Sequence, residues 1–299
     1  MGGSGFIGRH AIDAFKSTME SVAGLSRRGN TVGCQPVDYT DVRALAAVLK
    51  GVDSVVHVAG LAHVSSKSLA DAENAYHLAN VDVAVSVAKA AIIAGVSRFV
   101  LLSSAGVFGS HSPPGGFNDA IEPKPFDLYT KSKLEGERRV LETVGGQMAL
   151  VILRPPMVYG PNAPGTFNRL CKWVEMGLPL PVGRIFARRS FVGIRNLCSA
   201  LVAAEASSHT GLLPMLVADR EPVSVAEFAT EIARTYGRRS FIIPVPRVIL
   251  ECGLRSVGLG EEYRRIALPF ELHPSRIHST LNWRAPHSLA EELRWARSA

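Results

Sequence analysis

The sequence predicts an α/β fold: a doubly wound parallel sheet covered by helices on both faces, with a smaller C-terminal lobe that closes over a ligand. Three observations carry this expectation. Through the first two thirds, short β-branched runs (21–25, 31–37, 54–58, 98–103, 150–153) alternate with segments whose apolar residues recur at helical spacing (6–16, 41–49, 73–94, 127–143). The strand runs are continuously apolar rather than alternating, which requires burial on both faces and so a parallel sheet between helix layers. After Arg154 the rhythm is lost and proline becomes frequent, at Pro155, Pro156, Pro161, Pro164, Pro179 and Pro181. Residues 1–154 and 191–219 are therefore assigned to the sheet domain, and 155–190 with 220–299 to the lobe.

Each element has its local reason. The helix expected over 6–16 follows Gly2-x-x-Gly5-x-x-Gly8 and carries Phe6, Ile7, Ala11, Ala14 and Phe15 on its apolar side. Glycines there permit positive φ and close backbone approach. The helix start offers free N–H groups and a partial positive charge, which suit a pyrophosphate. Such a turn is expected to follow a buried strand, and none stands ahead of Gly2 here; without one the sheet would miss a central strand. The helix over 41–49 has Asp41 as its natural cap, which leaves Asp38 free to accept from an adenine amino group. At the end of the second run stands Ser26-Arg27-Arg28. An acidic residue would hold a ribose 2′-hydroxyl at that point, whereas arginine accommodates a 2′-phosphate. The cofactor expected is NADP(H), with NAD(H) as the alternative.

The run 98–103 delivers Ser104 to a strand's carboxyl end, where doubly wound sheets bind ligands. Tyr129 and Lys133, four apart, share a helix face. A tyrosine titrates near pH ~10 by itself; an ammonium and a nicotinamide cation nearby would lower that value and suit the phenol to proton transfer. Ser104 could hydrogen-bond the same substrate oxygen.

Bulk properties narrow the class further. With 299 residues, 47% of them hydrophobic, the chain can bury a large core. The apolar stretch 241–250 is interrupted by Pro244, Pro246 and Arg247, and no secretory signal is recognised, so a cytoplasmic protein without membrane insertion is expected. Cys34, Cys171, Cys198 and Cys252 form no CxxC and are read as buried free thiols. The nine histidines form no HxxxH, and no metal is assigned. The net charge of +7 is carried largely as scattered arginine pairs with no aromatic interleaving, which argues against nucleic acid and for a small polyanion such as a diphosphate. His63 is read as held by backbone groups, and Trp173, Trp283 and Trp295 as lobe core.

These motifs carry a family resemblance. GGSGFIG near Gly2, HVAGLAHV at His57, NVDVAVSVAKAA at Asn80, LLSSAGVFG at Leu101, YTKSK at Tyr129, LRPPMVYGP at Leu153, RSFVGIRNL at Arg189 and LNW at Leu281 resemble the extended short-chain dehydrogenases/reductases of the nucleotide-sugar epimerase/dehydratase group, over nearly the whole chain. The resemblance implies a Rossmann domain with catalytic Ser104, Tyr129 and Lys133. It places Gly2, Gly5, Phe6, Ile7, Gly8, Arg27, Arg28, Asp38, Tyr39, Ala59, Gly60, Asn80, Tyr129, Lys133 and Pro155 along the cofactor. It places Ser104, Asn168, Val182 and Arg189 along a UDP- or dTDP-sugar, with Arg189 on the diphosphate. The helices at 73–94 and 127–143 would pair in a homodimer.

Departures from the family pattern sharpen the reading. Dehydratases place Asp-Glu after the serine, where this chain has Ala105-Gly106, so loss of the 6-hydroxyl is not expected. UDP-galactose 4-epimerases usually carry tyrosine where Phe108 stands, and an acidic signature where Ser26-Arg27 stands. The expected reaction is NADPH-dependent reduction at C4 of a UDP-4-keto-6-deoxy (N-acetyl)hexosamine for polysaccharide or O-antigen precursors. The alternatives are an NAD-dependent UDP-sugar 4-epimerase and, from another class, a non-catalytic NADP-binding sensor or scaffold.

Overall fold

The computed structural model describes residues 1–27, 33–62, 68–208, 213–256, 258 and 260–298. The expected parallel α/β architecture is present. Four strands, β3 (Ser54–His57), β4 (Arg98–Leu102), β6 (Ala149–Arg154) and β10 (Met215–Leu216), form a parallel sheet in the order β10-β6-β4-β3. Alternate residues of its central strands enter opposite layers, as the pleat dictates. Phe99, Leu101, Leu150 and Ile152 pack with α2 (Val42–Val48), α4 (Val83–Ile93) and α5 (Leu128–Val144). Val100, Leu102, Val151 and Leu153 pack with α1 (Phe6–Lys16) and α7 (Ile194–Ala206) on the other face. Segment 191–219 thus supplies both a covering helix and the edge strand β10.

A second parallel pair, β1 (Gly24–Ser26) with β2 (Cys34–Pro36), stands apart from this sheet. The backbone of residues 1–3 lies between β1 and β3. The Met1 amine donates to Val56 O at 2.7 Å, Val58 N donates to Met1 O, and Gly2 N and Gly3 N donate to Leu25 O. A cavity of about 560 Å³ beside them is lined by Met1, Ile12, Phe15, Leu25 and Val55. Burial pushes the Met1 amine down to about 6.

The helix expected over 73–94 begins earlier, at α3 (Leu69–His77) capped by Ser68, and passes through a π-helical turn at Leu78–Asp82 before α4. The run Leu69–Ile93 is long and apolar enough to cross a bilayer; Val83, Val87, Ala90 and Ala91 belong to the core, while Leu69, Leu78 and Ile93 are exposed. The cap at Asp41 is as expected: its carboxylate accepts from Arg43 N and Ala44 N.

Further elements complete the described chain. They are β5 (Phe117–Asn118), β7 (Met157–Tyr159), α6 (Thr166–Glu175), β8 (Arg188–Arg189), β9 (Phe191–Gly193), β11 (Val223–Ser224), α8 (Val225–Thr235), α9 (Arg247–Ser256), α10 (Gly260–Ala267), β12 (Leu272–His273), α11 (Ser275–Leu281) and α12 (Leu289–Ser298). Tyr159, Phe167, Phe191 and Phe228 stack between α6, α8 and α12, and Val182, Ile185, Leu250 and Tyr263 between the 180s loop, α9 and α10. Three expectations fail here. Trp283 and Trp295 pack with α1 and α7 against the sheet rather than in the lobe. Trp173 is exposed, its indole N–H donating to Pro179 O, rather than lobe core. Cys252 is an exposed free thiol on α9.

Candidate active site

The glycine turn has the geometry of a cradle. Gly2 has φ +84°, and a Cβ on it would lie 2.7 Å from Ala59 N. A Cβ on Gly8 would lie 2.0 Å from Gly2 O, so the turn and the first turn of α1 touch backbone to backbone. Gly5 caps α1 without any side-chain acceptor, and no acidic residue stands in the first turn. The amides at this helix start are thus left for an anion, which fits the diphosphate of a dinucleotide.

The other residues assigned to the cofactor separate into two groups. Arg27 is exposed at the end of β1 and close enough to Asp38 to lower the latter's pKa; the larger cause is that Asp38 accepts from Thr40 N at 2.9 Å and Thr40 Oγ1 at 2.8 Å. Asp38 in this arrangement caps its own turn. Arg28 and His63 lie outside the described residues. Tyr39 requires a correction. Its ring is buried, its hydroxyl donates to Leu25 O at 2.6 Å, and Gly2 N donates to that hydroxyl at 2.7 Å. Its side chain therefore supports the glycine turn from beneath. Phe6 and Ile7 likewise send their side chains into the core, leaving only their backbone toward the cradle.

Asn80 sits in the π turn and ties the end of β3 to α5. Its amide donates to Leu61 O at 3.0 Å and Ser132 Oγ at 2.9 Å, and its Oδ1 accepts from Leu61 N at 2.8 Å. A Cβ on Gly60 would lie 3.0 Å from that Oδ1 and 3.7 Å from Lys133 Nζ, so the loop Ala59–Gly60 runs directly over the lysine.

Ser104, Tyr129 and Lys133 converge where β4 ends. Ser104 is extended and caps the short 3₁₀ turn Ala105–Phe108, accepting from Gly106 N at 3.1 Å. Asp127 caps α5 through Thr130 N and so sets the helix start that presents Tyr129. Burial raises the Tyr129 pKa, and a hydrogen bond with Ser104 opposes the rise. Lys133 is buried, donates to Leu102 O at 2.7 Å, and is pushed down to about 8 by burial. The phenol is shifted upward by burial, and one N–H of the Lys133 ammonium is held on the β4 carbonyl.

Sequence reasoning missed Tyr76, Arg154 and Glu137. Tyr76 of α3 places its ring 6.1 Å from that of Tyr129. Arg154 and Glu137 form a buried ion pair at 2.5 Å beneath the site, the guanidinium also lying 5.0 Å from the Phe108 ring centroid. Pro155 O accepts from Ala105 N, so the β6 end positions the residue after Ser104. A buried Arg at a strand end and a Glu on the same helix as Tyr129 carry no local signal of pairing. Space at 105–106 is limited: Ala105 is fully buried, and a Cβ on Gly106 would lie 2.9 Å from Thr130 Cγ2.

The residues assigned to the sugar nucleotide are not gathered as one cluster. Arg189 donates to Leu268 O at 2.7 Å, lies 5.3 Å from the Phe270 ring centroid, and is lowered to about 10 by burial and by nearby Arg265. Arg265, on α10, is the second cation there and was not foreseen. Val182 is buried in the core beside α9 and α10, so its side chain is packing rather than contact surface. Asn168 lines a crevice of about 90 Å³ with Gly160, Tyr236 and Leu293, which contains neither Arg189 nor Val182.

Comparison with known proteins gives a consistent picture. The description "NAD dependent epimerase/dehydratase family" matches residues 1–212. A UDP-glucose 4-epimerase of Vibrio cholerae is 32% identical over 254 residues, covering 84% of this chain and 77% of that protein. Among solved structures, MoeE5 in complex with UDP-glucuronic acid and NAD superposes with TM-score 0.78 at 24% identity, covering 99% of this chain and 97% of the other. The UDP-N-acetylglucosamine 4-epimerase from Bacillus cereus superposes with TM-score 0.80 at 19% identity, covering 98% and 95%.

Proposed function

The chain belongs to the NAD dependent epimerase/dehydratase family, an oxidoreductase family that works with NAD(P), and from that premise we propose that it acts at C4 of a nucleotide-activated sugar. The observation that supports this most is the convergence of Ser104, Tyr129 and Lys133 at the end of β4, beside a glycine cradle with free helix amides. A bound nicotinamide dinucleotide supplies or takes the hydride. Gly2, Gly5 and Gly8 hold its diphosphate at the start of α1. Tyr129 carries the proton of the C4 oxygen, Ser104 orients that oxygen, and Lys133 beneath Gly60 is placed for the nicotinamide ribose. Because burial keeps the phenol protonated, Tyr129 stands ready as an acid toward a C4 ketone.

The finer reading is NADPH-dependent reduction of a UDP-4-keto-6-deoxy (N-acetyl)hexosamine. Arg27 at the end of β1 supports NADPH, and the filled space at 105–106 leaves no place for the acid–base pair of a dehydratase. A second reading, an NAD-dependent UDP-sugar 4-epimerase, is favoured by the likeness to the Vibrio cholerae protein. We further assign residues 155–190 and 220–299 to substrate binding, with Arg189 and Arg265 on the diphosphate. The protein is taken as a cytoplasmic homodimer joined through α3–α4 and α5. Mass spectrometry of UDP- and dTDP-4-keto sugars incubated with NADPH tests the scheme. Reduction that consumes NADPH supports the first reading; interconversion of C4 epimers by protein purified with bound NAD supports the second; neither on any sugar refutes both.

A further inference from the structure

The lobe exposes large apolar side chains that no neighbouring element covers. Phe186 is 79% exposed, Val248 71%, Met176 64% and Ile249 63%. They sit on segments tied together by backbone hydrogen bonds: Leu178 N to Trp173 O, Leu180 N to Phe241 O, Ile243 N to Leu180 O and Gly183 N to Ile243 O. Residue α9 Leu250 faces the core while its neighbours Val248 and Ile249 face outward, so this helix is apolar on two sides. Exposed apolar side chains gathered on segments joined in this way mark a contact region.

Charge tells what it contacts. Segments 165–190 and 236–267 together hold eleven Lys/Arg and four Asp/Glu, an excess equal to the +7 of the entire chain. The rest of the protein is therefore balanced, and the positive excess lies on the same two segments as the apolar residues. Arg238 and Arg239 are exposed immediately before Phe241, and Lys172 and Arg184 are exposed near Met176 and Phe186. The exposed indole of Trp173 keeps its N–H on Pro179 O, so its apolar ring can leave water without losing that bond. Apolar side chains that enter an acyl boundary, framed by arginines that meet anionic headgroups, are the chemistry of interfacial binding.

We propose that this face of the lobe docks on the surface of a bilayer containing anionic phospholipid, lying on it rather than spanning it. The contact is distinct from the chemistry at Tyr129. It would hold the substrate lobe at the interface, with Arg189 and Arg265 on the same portion of the chain.

Flotation with vesicles of phosphatidylcholine alone, and of phosphatidylcholine with phosphatidylglycerol, tests it. The wild type is expected to float with the anionic vesicles only, and less so as salt is raised. The double variants V248S/I249S and R238E/R239E should each lower the bound fraction by about tenfold or more at fixed lipid. Phe186→Ser, on a different segment, gives the same test should the first pair alter the fold, which melting by circular dichroism reports. Tyr129→Phe should float as the wild type, so a failed catalytic scheme leaves this result intact. Absence of flotation with anionic vesicles overturns the proposal. So does wild-type flotation of the variants, or a change in light-scattering mass of V248S/I249S without change in flotation, which would mark the face as a contact between copies of the chain.

Discussion

Tyr129 and Lys133 are one helical turn apart, yet their environments pull in different directions. The phenol is raised by burial and steadied by Ser104, while the ammonium is directed at Leu102 O and lowered to about 8. In the proposed scheme Tyr129 is the proton donor, and its removal should fall on turnover alone. Tyr129→Phe is expected to lower kcat by about 10²–10⁴-fold with the dinucleotide Kd unchanged, measured by fluorescence titration; wild-type turnover would refute the assignment. At the other end of the cofactor cradle Arg27 offers positive charge beside Asp38. Arg27→Asp is expected to weaken NADP(H) more than NAD(H), and equal loss for both in calorimetric titration would remove the argument for a 2′-phosphate.

At the scale of elements, the site depends on how α5 meets the π turn before α4. Asn80 bonds both the β3 loop and Ser132, and Gly136 lets the two helices touch: a Cβ there would lie 2.3 Å from Asn80 O. Local propensity and packing oppose each other at this position. In an isolated helix Ala is better than Gly by up to about 1 kcal/mol, but here the added methyl meets backbone that cannot yield. Gly136→Ala is expected to destabilise the protein by about 1–3 kcal/mol in denaturant unfolding. A stabilised variant would show that α5 and the π turn can move apart. Glycines at 2, 8 and 60 obey the same logic, with backbone or Asn80 as the obstacle.

At the scale of the whole molecule, buried carboxyls stand at the junction of sheet and C-terminus. Glu292 of α12 is fully buried, accepts from Arg195 Nε at 3.1 Å, and is raised from 4.5 to about 7 by burial. Nearby Asp219, also raised by burial, accepts from Tyr159, Gly193 and Asn196. A carboxyl whose pKa is higher folded than unfolded binds more protons in the native state. Its stabilisation is complete below 4.5 and is lost as pH rises through about 7. Calorimetry across that window should show Tm of the wild type falling with pH and that of Glu292→Gln falling less; parallel curves would mean that Arg195 keeps the group ionised throughout.

Much of the fold was legible in the sequence because its signals are local. Burial on both faces writes continuous apolar strands, helical spacing writes α1 and α5, and the order glycine turn, Ser104, Tyr129, Lys133 marks the candidate site. Asp41 as a cap and the loss of rhythm after Arg154 are equally short-range. What the tertiary structure decided involves groups distant along the chain. Tyr39 supports Gly2 instead of meeting the cofactor, Val182 enters the lobe core, Lys133 turns to a carbonyl of β4, and Glu137 pairs with Arg154. The exposure of Trp173, Val248 and Ile249 belongs with these, because an apolar residue carries no mark of whether another element will cover it. Periodicity tells a side chain which way to face on its own element; only the packing of elements decides what it finds there.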